Sequence, residues 1–350
     1  MCHPRRSVEP SAPGPGVVEG TEILVAIPAL NEADHIERCI RSLMTGDPRL
    51  GGVRMVVADG GSRDDTRRIV ARLRGEYPNL RLVANPARVQ AAAVNRVARE
   101  AGRGRFRYLV RCDAHAQYPP GFVIRVVETL VRTGAQSVVV SLDAVGEGCF
   151  QRANAWVVDT PLGSGGAPHR GGHRSGFVDH GHHAAFDLET FLALGGYDET
   201  FSHNEDAEYD RRLTAAGGRI YLDAQCRVQY APRATPMALA RQYFHYGRGR
   251  ARTLAKHGGP WRLRQVLPLV HGLVLPTAVA GGFALPALWL YPATYATALA
   301  GASVWFAVRR RSVCGLWAGV AAALMHQAWA LGFLSGWPRS TPFQRPRERG

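Results

Sequence analysis

Residues 106–115 read FRYLVRCDAH. The mostly apolar run from Tyr108 to Cys112 reads as a buried strand, and it stops on Asp113 and, two positions on, His115. Residues i and i+2 of an extended chain project to the same side, so acid and imidazole stand together at the strand's carboxyl end as two ligands for a divalent cation. A polar strand end entering the turn at Tyr118, Pro119 and Pro120 accounts for the same letters. What lies upstream favours the ligand reading.

Residues 23–27 (ILVAI) form an apolar strand, and 34–44 have helical spacing at Ile36, Ile40 and Leu43. Strands over 53–58 and 80–84 and helices over 64–73 and 89–99 continue the alternation. This pattern predicts an α/β fold with a parallel, doubly wound sheet. Ligands of such sheets sit at the carboxyl ends of the strands, where this chain places Asn31, Glu32, Asp59 and Asp113. No Gly-x-Gly-x-x-Gly follows the first strand, which excludes a dinucleotide-dependent dehydrogenase. Gly60 and Gly61 permit a sharp turn and close backbone approach, and Asp59 can accept hydrogen bonds from a base or ribose. Ser62 or Asp64 can equally cap the next helix. A second half, 137–230, has shorter strands (138–142, 220–222) and a Gly/His-rich loop over 163–183.

The chain has 350 residues, 46% of them hydrophobic, and a net charge of +15. From Pro232 onward there are fifteen Arg and Lys against one acid, Glu348, so nearly all of the excess shares a segment with the apolar runs. That distribution points to anionic lipid headgroups and away from nucleic acid. Six scattered cysteines, with no Cys-x-x-Cys pair, read as reduced packing residues without a disulfide. The expected divisions are a disordered tail (1–20), a catalytic domain (21–235), a basic amphipathic interfacial segment (236–264), transmembrane helices (265–335) and a basic tail (336–350). Apolar runs cover 266–291, 293–308 and 313–334. The first and third are long enough to span ~30 Å of hydrocarbon at ~1.5 Å per residue, and the middle one is marginal.

If the catalytic half is cytoplasmic, two crossings return Arg309, Arg310 and Arg311 to the cytoplasm, as the positive-inside rule asks. A third crossing would leave the basic tail outside, against that rule. A re-entrant or interfacial first segment, interrupted by Pro268, Pro276 and Pro286, removes the conflict.

The motifs PALNE (28–32), DGGS (59–62), NPARVQAAAVN (85–95), RCDAH (111–115), VDHGHHAAF (178–186), GGYDE (195–199) and HNEDAEYDRRL (203–213), in this order, resemble the family-2 glycosyltransferases of the GT-A fold. More narrowly the chain is similar to the succinoglycan-biosynthesis ExoA type of membrane glycosyltransferase. The resemblance covers about residues 22–260. It implies a GT-A nucleotide-sugar-binding domain followed by a C-terminal α-helical membrane region. It puts Asp59 at the base or ribose, with Pro28, Asn31, Glu32 and Asn95 around the same pocket. Asp113 and His115 take the Asp-x-Asp place that binds Mg²⁺ or Mn²⁺ on the diphosphate, with His a departure from the commonest form. Asp206, with Glu205 second, is the general base. The same carboxylates would also complement the N-terminus of a helix.

Five of thirteen histidines, His169, His173, His180, His182 and His183, fall in one glycine-rich loop. Their spacing matches no closed zinc set. The loop reads as one that orders over donor and acceptor, with Arg170 or Arg174 reaching a phosphate and Asp179 and His180 lining the acceptor side. Arg248, in the basic stretch 242–256, either meets anionic lipid or positions a lipid-diphosphate acceptor. The Gln-x-x-Arg-Trp of processive polymer synthases is absent, so single-sugar addition is expected. The expected activity is inverting transfer of a hexose, glucose from UDP-glucose, to a lipid-linked or exopolysaccharide-precursor acceptor at the cytoplasmic face of the inner membrane. The alternatives are a polyprenyl-phosphate sugar synthase and a catalytically silent nucleotide-sugar-binding membrane protein.

Overall fold

A computed structural model describes residues 18–100, 105–258, 261 and 263–337; almost all of both expected tails lies outside them. The first half runs β1 (Ile23–Ala29), α1 (Ile36–Leu43), β2 (Arg54–Asp59), α2 (Thr66–Glu76), β3 (Leu80–Ala84), α3 (Gln90–Glu100) and β4 (Tyr108–Arg111). These four strands are parallel in the order β3-β2-β1-β4. Register aligns Ala29 with Asp59 and Asp59 with Ala84, so the carboxyl ends form one edge. Alternate residues of β1 enter different cores: Ile23, Val25 and Ile27 on one face, Leu24 and Ala26 on the other. Burial on both faces explains the continuous apolar run.

Beyond β4 the chain forms β5 (Ala116–Gln117), α4 (Phe122–Thr133), β6 (Ser137–Ala144), α5 (Cys149–Val158), α6 (Pro161–Ser164), β7 (Gly176–Val178), β8 (His182–Asp187), α7 (Leu188–Ala193), α8 (Glu205–Ala215) and β9 (Ile220–Tyr230). Here the expectation of a parallel sheet fails. The crossover through α4 carries the chain past β4 to β6, and β8 fills the gap antiparallel to both neighbours. β6 and β9 are parallel, while β5 and β7 add antiparallel to β9. The sheet is mixed, and its carboxyl edge meets the loops of the second half.

Four helices follow: α9 (Pro236–His257), α10 (Leu263–Gly281), α11 (Leu290–Arg309) and α12 (Ala318–Gly336). α9, expected as an interfacial segment, packs between the catalytic domain and α12, with Gly247, Gly249, Ala251 and Leu254 buried. Gly332 of α12 is pressed so closely on α9 that a Cβ there would meet the Phe244 carbonyl. The first apolar run is not one span, because α10 ends at Gly281 and Pro286 starts a separate short turn. Among the described residues, one segment, Val313–Gly336, is long and apolar enough to cross a membrane, and half of it is buried.

The cysteine reading also needs correction. Cys149 and Cys314 are disulfide-bonded, tying α5 to the turn before α12, while Cys39, Cys112 and Cys226 are free and buried. Their separation of 165 residues hid the pair from any spacing rule.

Candidate functional site

The loops after β1 and β2 are laced together. Asp59 accepts from the backbone N–H groups of Gly61 (3.0 Å) and Ser62 (3.2 Å) and from the Ser62 hydroxyl. The Asn31 N–H donates to Ser62 Oγ (2.9 Å), and Asn31 Oδ1 accepts from the Arg63 N–H (2.9 Å). Asn31 holds a left-handed backbone (φ 56°), which an Asn tolerates better than most residues. The Glu32 N–H donates to Thr66 Oγ1 (2.8 Å). These bonds shape a pocket of about 160 Å³ whose lining includes Pro28, Glu32, Gly60, Asn85, Asp113 and His115. Asn31 and Asp59 brace its wall. Asn95 lies elsewhere: buried on α3, its amide donates to the Tyr197 carbonyl (2.8 Å) and Glu199 (2.9 Å) and fixes the GGYDE loop.

β4 ends at Arg111, so Asp113 and His115 sit in the turn leading to β5 and not on the strand itself. Tyr118 accepts the Asp113 N–H (2.6 Å) and holds that turn. Asp113 Oδ1 accepts from Gln90 (3.1 Å) and Arg111 (3.3 Å), while Oδ2 lies 3.5 Å from His182 Nε2. Burial works to raise the Asp113 carboxyl, but Arg111, His182 and His115 outweigh it and hold the group down at about 2. His115 Nδ1 lies 3.3 Å from Glu32, a partner that raises the imidazole. Burial in turn lowers His182 to about 4 and leaves a neutral imidazole.

These groups fit a divalent cation. Asp113 offers a hard oxygen, Oδ2, without a close hydrogen bond; the neutral imidazole beside it is that of His182, while His115 Nδ1 is engaged with Glu32. Among the described residues no three His, Cys, Asp or Glu form a complete metal cage, so a cation at Asp113 and His115 would draw its remaining ligands from a diphosphate and water.

Asp113, His115 and Gln90 also line a second, larger cleft of about 670 Å³. Its opposite wall is the start of α8, where Asn204 (φ 69°) turns the chain and Glu205 and Asp206 open the helix. Glu205 is 6% exposed, with Arg111 Nη1 at 3.7 Å. Burial, reinforced by the neighbouring Asp206 charge, raises it to about 7. Burial also opposes ionisation of Asp206, yet the fields of His180, His183 and Arg111 prevail and hold it well below the usual carboxylate range. Asp210, one turn further along α8, pairs with His180 Nδ1 (2.7 Å) and His183 Nε2 (2.8 Å), orienting both rings beneath the dyad.

From the carboxylates the cleft runs past His169, Arg170, Tyr230, Tyr243 and Tyr246 to Leu267, His271, Tyr295, Met325, His326 and Trp329 of α10, α11 and α12. Arg170 hydrogen-bonds Tyr230 and stacks on its ring at 4.8 Å. Of the residues expected on the acceptor side, His180 lines the cleft and Asp179 is exposed; of the two arginines expected to reach a phosphate, Arg170 lines the cleft and Arg174 is exposed. Arg248 faces out of α9, and Arg250, two residues on, lines the cleft instead. Sequence reasoning passed over Arg111, Gln90 and His182. Arg111 had left a signal, a cation inside an apolar strand, which demands a buried partner.

The sequence model of glycosyl transferase family 2 matches residues 24–192. The succinoglycan biosynthesis protein ExoA of Rhizobium meliloti (strain 1021) is 45% identical over 93% of this chain and 97% of its own. A dolichyl N-acetyl-α-D-glucosaminyl phosphate 3-β-D-2,3-diacetamido-2,3-dideoxy-β-D-glucuronosyltransferase of Methanococcus voltae is 22% identical over 67% of this chain and 74% of its own. In fold, the chain is similar to a mannosyltransferase from Pyrobaculum calidifontis solved with GDP-Man and Mn²⁺, at a TM-score of 0.58 and 23% identity, covering 91% of this chain and 90% of that one. That likeness accords with a GT-A fold, and the ExoA identity over nearly the whole chain decides kinship: the chain belongs to the family-2 glycosyltransferases and is a glycosyltransferase.

Proposed function

We propose that this enzyme moves a hexose, glucose from UDP-glucose, onto a lipid-linked exopolysaccharide precursor with inversion at the anomeric carbon. The observation that carries this reading is the junction at Asp113, where the smaller pocket and the carboxylate-lined cleft share a wall. A nucleotide in the first and an acceptor in the second would meet there. The relative's part in succinoglycan biosynthesis supports an exopolysaccharide precursor, and the Methanococcus voltae relative's name describes a lipid-phosphate-linked sugar as acceptor. The cleft's continuation onto the apolar helices supports a lipid-borne acceptor.

In a single displacement the acceptor oxygen bonds to the anomeric carbon as the bond to the diphosphate oxygen breaks. Asp206, ionised and facing the cleft, accepts the acceptor's hydroxyl proton. Asp113 and His115 would hold Mg²⁺ or Mn²⁺, and a bound cation there supplies Lewis-acid neutralisation of the diphosphate. Arg111 fixes Asp113 on one side and Glu205 on the other. Tyr243 and Tyr246 form an aromatic wall on the acceptor side.

The test is UDP release by the purified protein from a panel of nucleotide sugars, with the lipid extract read by mass spectrometry. One hexose added to a lipid-linked saccharide is the expected product. A sugar on a lipid monophosphate would replace this reading with a polyprenyl-phosphate sugar synthase, and no turnover with any donor would leave a binding protein.

A further inference from the structure

Asp206 faces the cleft, and although burial opposes its charge, His180, His183 and Arg111 hold it well below the usual carboxylate range. A base this weak gives a proton up quickly, and efficient transfer calls for a partner nearer the working pH. One turn further along α8, Asp210 shares the helix face of Asp206, since Cβ atoms four residues apart lie about 5–6 Å from each other. Asp210 is 2% exposed and binds two imidazoles, His180 Nδ1 at 2.7 Å and His183 Nε2 at 2.8 Å. The displacement itself uses neither ring.

The hydrogen-bond network assigns the protons. Arg111 Nη1, which can only donate, reaches the Tyr197 hydroxyl at 3.3 Å, so that hydroxyl gives its own proton to His183 Nδ1 at 2.7 Å. His183 therefore carries its hydrogen on Nε2 and donates to Asp210 Oδ1. Asp210 takes a second N–H from His180 Nδ1, which leaves a lone pair on His180 Nε2. His183 is sealed from solvent, whereas His180 lines the cleft with 18% of its side chain exposed. The other imidazoles around the carboxylates differ. Burial lowers His169 well below its ordinary value and brings His182 and His203 to about 4, while His115 is engaged with Glu32 at the cation place. Among the described residues near the acid pair, His180 is the ring both backed by a buried carboxylate and open to substrate.

We propose that His180 is a second proton acceptor in the transfer, taking from Asp206 the proton that Asp206 has drawn from the acceptor hydroxyl. As the acceptor oxygen bonds to the anomeric carbon, the bond to the diphosphate oxygen breaks and its electron pair leaves with the nucleotide. The proton then passes from the Asp206 oxygen to His180 Nε2, which restores the carboxylate. Asp210 balances the imidazolium until it releases the proton to water in the cleft. Asp210 touches no substrate and is a positioning residue, holding the ring in the tautomer that can receive. This rests on the displacement through Asp206 proposed above.

Turnover of the purified full chain tests it, read as nucleotide release with a membrane lipid extract and UDP-glucose, or whichever nucleotide sugar of the panel turns over. His180→Gln keeps a polar end in the cleft but cannot carry the proton, so kcat should fall about 10²-fold while the donor Kd stays within about three-fold. His180→Ala should lose as much, and free imidazole should return about ten-fold of it while doing nothing for Asp206→Asn. A merely structural ring would show no such rescue. Asp210→Asn should slow kcat and, combined with His180→Ala, should add almost nothing, because both act through one ring. Native turnover with unchanged kcat in His180→Gln overturns the relay alone, whereas a native protein that turns over no donor overturns the displacement on which it rests. Imidazole ¹⁵N spectra at pH 8 give a readout without turnover. The signal lost in His180→Gln should be that of a ring protonated at Nδ1 only, and a proton on Nε2 overturns the proposal.

Discussion

Arg111 Nη1 stands 3.7 Å from Glu205 Oε1, two opposite charges facing each other where both side chains are buried. The other terminal nitrogen of the same guanidinium reaches Asp113 Oδ1 at 3.3 Å. One cation thus joins the wall of the smaller pocket to the acid pair across the cleft. Its removal leaves buried Glu205 without its counter-charge and takes one of several partners from half-buried Asp113, and losing one partner of a buried pair costs about 3–5 kcal/mol in comparable cases. Arg111→Met should therefore unfold at distinctly lower urea than the native protein at pH 8. The gap should narrow at pH 5, where Glu205 is protonated. Coincident unfolding curves at pH 8 would show that Arg111 does not bind these acids.

Asp206 is proposed to receive the acceptor's proton, so its carboxylate matters to the chemical step and little to donor binding. Asp206→Asn should lower kcat by about 10²–10⁴ while the donor Kd stays within about three-fold. A variant with unchanged kcat removes Asp206 from the mechanism.

Glu205 gives the enzyme a titration near neutrality. With the doubly ionised pair as the active form, kcat/KM should rise as pH increases through about 7. Glu205→Gln should abolish that limb, and its persistence in the variant would assign it to another group. The sign for stability is opposite. A carboxyl whose folded pKa is raised contributes stability below its unfolded pKa, near 4.5, and loses it as pH climbs through about 7. Relative to native, Glu205→Gln should gain as pH rises from 4 to 9, by roughly 3 kcal/mol from the size of that shift.

Where structure followed from local pattern, the sequence was legible. Burial on both faces of β1 and β2 produced runs that could be read directly, and the strand ends delivered Asp59 and Asp113 to one edge. That Glu205 and Asp206 open a helix was legible from the short acidic cluster, while the role given to Asp206 came from the resemblance. His182 was not, because it reaches Asp113 only through the antiparallel insertion of β8 beside β4, a pairing no periodicity encodes. Asn95 was assigned to the nucleotide pocket through resemblance, while its hydrogen bonds go to Tyr197 and Glu199. In the helical segment apolar composition alone does not tell lipid from the flank of a neighbouring domain, and half of Val313–Gly336 is buried.

A cation at Asp113 and His115 would make donor binding depend on divalent metal. EDTA should weaken UDP binding to the purified protein, and Mn²⁺ or Mg²⁺ should restore it. Asp113→Asn should lose the metal-dependent part, because the substitution removes a charged hard oxygen. His115→Ala, which deletes the more exposed ligand, should lose less. UDP binding that ignores EDTA would rule out this role.

The Cys149 to Cys314 link closes a loop of 165 residues between α5 and the base of α12. Cross-links of this span restrict the unfolded chain and are commonly worth about 2–4 kcal/mol. Cys149→Ser should thus lower the unfolding midpoint, and reductant should bring the native protein down to the same value. Cys39→Ser serves as the control, since Cys39 is buried in the first core and has no disulfide partner. Phe150, Ala318 and Ala321 pack in one cluster beside the link, so local order there should survive reduction even as global stability falls. If the native midpoint ignores reductant and mass spectrometry finds both thiols free, that apolar cluster alone joins the helices to the catalytic domain.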